Sequence, residues 1–94
     1  METPRDIATE RLIIADQYSK LGQRKVELMY IRASYYKEHR EEYKSDAGLE
    51  RAWEMTEEGL ELMVIKEKMK AKLTKMSALK SALEVANIES FSHY

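Results

Sequence analysis

Residues 4–44 read PRDIATERLIIADQYSKLGQRKVELMYIRASYYKEHREEYK, and this stretch decides the fold. Pro4, the only proline of the 94-residue chain, follows Thr3. That is the order of an N-cap residue and a first helical residue whose φ is already fixed. From there to Lys44 stands one helix-disfavouring residue, Gly22, and no cluster of turn formers. Taking every third and fourth residue gives Ala8, Leu12, Ala15, Ser19, Gly22, Val26, Met29, Ala33, Tyr36, Arg40 and Tyr43, with only Ser19 and Arg40 polar. Such sustained 3.5-residue spacing predicts one packed, coiled-coil-like helix over about 5–44. Ile14, Tyr18, Leu21 and Leu28 widen the stripe on one side, which suits a helix that touches more than one neighbour.

The break falls at Ser45-Asp46-Ala47-Gly48, where Ser45 or Asp46 can cap the next helix and Gly48 relaxes the backbone. A second pattern follows through Ala52, Met55, Gly59, Leu62, Lys66, Met69, Leu73, Met76, Lys80 and Leu83, flanked by Ile65, Leu79 and Ala86. It predicts a helix over about 49–87 and a frayed tail over 88–94. The alternative is one continuous helix through Gly48. Each helix of the hairpin would be about 60 Å long at 1.5 Å per residue. The fold expected is therefore all-α: a single domain over 1–94, a long two-helix antiparallel hairpin that assembles into an oligomer to cover its broad apolar faces. Small residues on the two seams (Ala8, Ala15, Gly22, Ala33, Ala52, Gly59) let helix axes approach, and the methionines of the second seam pack adaptably.

Composition removes several classes. Apolar runs reach only four residues, as at Leu62-Met63-Val64-Ile65, so neither a membrane span nor a signal-peptide core is expected. Without cysteine there is no disulfide framework and no thiolate metal site, which fits a cytoplasmic location. The histidines are His39 and His93, and position 36, three before His39, is tyrosine, so the Glu-x-x-His pairs of a helical di-iron site are missing. His39 with Glu42 reads as an imidazole hydrogen-bonded to a carboxylate. Phosphate loops and nucleophile elbows are absent from the sequence, and we expect no cofactor, no metal and no catalysis.

Charge carries the second signal. The net charge of −1 covers a strong segregation. Residues 38–61 hold nine acidic and three basic side chains, whereas residues 62–81 hold six lysines against Glu67 alone. Folded as a hairpin, the lysine-rich stretch lies beside residues 11–30, which add Arg24 and Lys25. Arg24, Lys25, Lys66, Lys68, Lys70, Lys72 and Lys75 are thus candidates for tracking a phosphate backbone, set against the plainer reading of a solvated helix face. Tyr30, Tyr35, Tyr36, Tyr43 and Trp53 gather around the turn, where the negative charge favours a packed aromatic cluster over base stacking. Tyr36, Tyr43, Trp53, Glu57 and Glu58 form a candidate protein-docking surface.

The run Met69-Lys70-Ala71-Lys72-Leu73-Thr74-Lys75-Met76-Ser77-Ala78-Leu79-Lys80-Ser81-Ala82-Leu83-Glu84-Val85-Ala86-Asn87, with Tyr18-Ser19-Lys20-Leu21 and Tyr35-Tyr36-Lys37, resembles small phage-encoded helical proteins of the T4-type recombination-mediator group (UvsY-like). The resemblance covers about residues 14–87 and rests on helix composition and lysine spacing. It implies a ring-like homo-oligomer of helical hairpins that binds single-stranded DNA and helps load a recombinase while displacing a single-strand-binding protein. The sequence also leaves open a phage-type adaptor or inhibitor (anti-CRISPR-like) acting through the acidic, aromatic tip.

Overall fold

The computed structural model describes residues 3–92, with side chains described up to residue 87. Among them are three α-helices, one short 3-10 turn and no strand: α1 spans Pro4–His39, the 3-10 turn Arg40–Glu42, α2 Asp46–Glu54 and α3 Glu57–Ser92. The all-helical expectation holds; the division into two helices becomes a division into three.

Each boundary has a local cause. Thr3 opens α1 as expected: its hydroxyl accepts from the Asp6 N–H at 3.2 Å, and the Asp6 carboxylate reaches back to the Thr3 N–H at 3.3 Å. This reciprocal pairing satisfies two otherwise orphaned backbone donors. The Thr3 hydroxyl also donates to the Asp6 carboxylate at 2.7 Å, and this bond, with the backbone one, holds the Asp6 carboxyl below its ordinary pKa. α1 ends at His39, short of the predicted Lys44, and Tyr43 is fully extended. Glu38, Glu41 and Glu42 place carboxylates against the negative end of the helix dipole, which opposes continuation. Ser45 caps α2, its hydroxyl accepting from the Gly48 N–H at 3.1 Å.

A second break, absent from the sequence reading, falls at Met55–Thr56. The Thr56 hydroxyl donates to the Trp53 carbonyl at 2.6 Å and accepts from the Gly59 N–H at 3.0 Å, ending one helix and capping the next. Gly59 is buried against this corner; a Cβ there would lie 1.9 Å from the Trp53 carbonyl oxygen. Its role is close approach of backbone to backbone at the α2–α3 corner. α3 then continues to Ser92, so the backbone is helical over 88–92, where a frayed tail was expected. His93 and Tyr94 lie outside the described residues.

The chain divides into two compact units, Met1–Lys20 with Met69–Tyr94, and Leu21–Lys68. In the first, Ile7, Ile14 and Leu79 are buried together, and Met76, Leu83 and Ala86 pack against them. Here the α1 and α3 segments run antiparallel, with Glu10 beside Lys75 and Gln17 beside Lys72. In the second unit Leu28, Leu49, Trp53, Leu62 and Ile65 are buried.

The buried line of α1 differs from the predicted seam by one residue. Ile7, Arg11, Ile14, Tyr18, Leu21, Lys25, Leu28, Arg32, Tyr35 and His39 are all buried or half-buried. Of the predicted seam, Leu12, Val26 and Met29 are 73%, 53% and 47% exposed. On α3 the predicted Leu62, Met69, Met76 and Leu83 do turn inward, but they alternate with Ile65, Lys72, Leu79 and Ala86 instead of Lys66, Leu73 and Lys80.

Candidate nucleic-acid interface

The seven candidate cations separate into those already engaged and those left in solvent. In the unit of residues 21–68, Arg24 forks onto the Glu61 carboxylate through Nε at 2.6 Å and a terminal nitrogen at 2.8 Å. Its other terminal nitrogen donates to Glu27 at 2.9 Å. A bidentate guanidinium–carboxylate pair is directional and strong for a half-exposed site. It lowers the Glu61 pKa and raises that of Arg24. Lys25 is half-buried, its stem on the inward line of α1. Lys66 and Lys68 are exposed.

In the other unit, Lys72 is half-buried and its ammonium donates to Gln17 Oε1 at 2.8 Å. Lys75 lies 3.5 Å from Glu10. Lys70 is exposed. Among the described residues, ion pairs engage Lys20, Arg24, His39 and Lys75, and none engages Lys66, Lys68 or Lys70. Three ammonium groups on alternate residues of one helix thus keep their charge unneutralised. Each can meet a phosphate oxygen without first breaking an internal contact.

The acidic, aromatic stretch is a packed cluster. Trp53 is 3% exposed, and its ring lies 5.5 Å from that of Tyr35, which in turn lies 4.3 Å from His39. Burial pushes the Tyr35 phenol above its ordinary pKa, with Tyr43 and Glu42 adding to the rise. His39 Nδ1 pairs with Glu42 at 2.9 Å, as the sequence suggested. Arg32 sits over the Tyr36 ring at 4.9 Å and donates to its hydroxyl at 3.1 Å. Of the candidate docking residues, Trp53 is therefore core, Tyr36 and Glu58 are half-buried, and Tyr43 and Glu57 are exposed. A shallow depression beside Trp53 is lined by Arg32, Glu50, Glu54, Leu62 and Lys66 among others. Its two cations and two carboxylates give it no dominant sign.

The residues missed from the sequence are the cations' partners: the carboxylates Glu10 and Glu61, and the neutral amide Gln17. The expected antiparallel pairing of 62–81 with 11–30 was the signal that could have found them. Among the described residues no group of three or more His, Asp or Glu side chains is arranged to hold a metal ion. No helix there is long and apolar enough to cross a membrane. No protein-family model matches the chain, and no curated protein or solved structure matches it.

Proposed function

We propose that this chain is a non-enzymatic, self-associating helical protein that binds single-stranded DNA or RNA through the exposed lysines of α3. Its role would be that of a recombination or replication accessory, with a recombinase or a single-strand-binding protein as protein partner. The observation that carries the reading is the unneutralised set Lys66, Lys68 and Lys70, in a chain whose other candidate cations are mostly engaged. Two of the three belong to one unit and Lys70 to the other, so each unit brings its own charge to the strand.

The test is fluorescence anisotropy of labelled single-stranded and duplex oligonucleotides at low and moderate salt. The log–log salt slope should be roughly 0.7 per phosphate contacted on a single strand. Changing Lys66, Lys68 and Lys70 together to glutamate should cost at least about 100-fold in affinity at low salt, whereas Arg24→Gln should cost far less. No binding at low salt, or binding that survives the triple change, overturns the reading.

A second reading has its own observation. Met55, at 79%, is the most exposed large apolar side chain among the described residues, and it stands between the carboxylates of Glu54 and Glu57. That pattern fits an adaptor or inhibitor that presents an acidic corner to a DNA-binding protein. A native chain that binds no oligonucleotide but whose captured partner is lost on Met55→Lys with Glu57→Lys would support it.

A further inference from the structure

Among the contacts that the cations make from one helix to the other, one differs in kind. Arg24 meets Glu61 and Lys75 meets Glu10, so a carboxylate offsets each of these charges. Lys72 instead meets Gln17, whose Oε1 accepts from the ammonium at 2.8 Å. Both residues belong to the unit of residues 1–20 and 69–94. A carboxylate at position 17 would hold the ammonium and cancel its charge. The amide holds it and leaves the charge in place.

Hydrogen-bonding capacity is left over on both groups. An ammonium has three N–H groups and no acceptor. One goes to Gln17, which leaves two. Because the ammonium cannot accept, the amide must present Oε1 to it, and Nε2 keeps both of its N–H donors. The acid next to Gln17, Asp16, is paired with Lys20 at 3.1 Å. Lys72 also differs from the exposed lysines in its stem, which is half-buried on the inward line of α3 between Met69 and Met76. Part of the side-chain freedom that a lysine gives up on gripping a ligand is therefore given up on folding.

We infer that Lys72 and Gln17 form a fixed phosphate subsite, the ammonium supplying charge and the carboxamide a neutral donor. The subsite rests on the nucleic-acid reading above and adds to it a contact built by two helices, whereas Lys66, Lys68 and Lys70 stand on one. Lys75, held by Glu10, has no part in it.

Gln17→Glu tests this without altering any lysine. Gln17 is exposed, and a glutamate there keeps the contact with Lys72 as an ion pair, so helicity by circular dichroism should not change. In anisotropy titrations of a labelled oligothymidine, the variant should lose about 0.7 of log–log salt slope and roughly 5- to 10-fold in affinity at about 50 mM salt. Gln23→Glu, the same change at an exposed position of the other unit, should cost less than about 2-fold, since salt screens a charge away from the contact. Gln17→Leu should cost about 3-fold at unchanged slope, because the lost donor carries no charge. Equal losses for Gln17→Glu and Gln23→Glu, or native affinity in Gln17→Leu, overturn the subsite and leave the nucleic-acid reading standing. A native chain that binds no oligothymidine at low salt removes that reading and the subsite with it.

Discussion

At the scale of single residues, the two glycines near the corners have opposite consequences. Gly59 lies in a helix, where alanine would ordinarily gain about 1 kcal/mol. Its added Cβ would fall 1.9 Å from a backbone oxygen, and backbone cannot swing away as a side chain does. Gly59→Ala should therefore destabilise by about 2 kcal/mol or more in urea unfolding. At Gly48 the nearest obstacle is the Ser45 hydroxyl, 3.3 Å from the added Cβ, and that hydroxyl rotates. Gly48→Ala should be close to neutral. Equal effects at the two sites would contradict the account of the α2–α3 corner. From sequence Gly48 read as the relaxed break and Gly59 as a small seam residue; only the path of the chain between Trp53 and Gly59 shows the tight corner at the second.

At the scale of elements, the Arg24–Glu61 fork ties α1 to α3 in one unit. The Glu61 pKa is lowered in the folded chain by the Arg24 hydrogen bonds. Its contribution to stability is thus present above the unfolded value and is lost as the pH falls through the lowered folded value. Urea midpoints should fall below about pH 4.5, and Glu61→Gln should flatten that fall; an unchanged profile would mean the pair contributes nothing. The helices themselves were legible. Thr3 and Ser45 declared two N-termini by residue type, and α3 showed half of its inward line. The phase of α1 was half legible: Ile14, Tyr18, Leu21 and Leu28, read as widening the stripe, do turn inward, but the seam was centred one residue away, for a physical reason. Its true inward line alternates Ile7, Ile14, Leu21 and Leu28 with Arg11, Lys25 and Arg32, whose long stems lie against the core while their heads reach water. Counting polar residues rejects that line and selects its uncharged neighbour. The Thr56 break was hidden because a threonine among strong helix formers becomes a stop only when a carbonyl such as that of Trp53 is in reach.

For the whole molecule, charge was read correctly in amount and incompletely in availability. The excess of lysines over 62–81 is plain from sequence, yet Lys72 and Lys75 meet Gln17 and Glu10 across the helix pair, and Arg24 is spent on Glu61. Availability depends on the partner helix of the fold, which a linear count does not contain. The same cross-helix contacts are nested by separation along the chain. Trp53 meets Tyr35 near the corner, Arg24 meets Glu61 across 37 residues, and Lys72 meets Gln17 across 55. Each contact, once made, leaves only a short extra loop for the next to close. Folding should thus nucleate at the corner and zip outward. Leu62→Ala should slow refolding, while Leu79→Ala should chiefly speed unfolding. Equal slowing by both would mean that the two ends close before the corner has formed. In the expected order, the first turns of α1 and the last turns of α3 are the last part to be committed and the first to open.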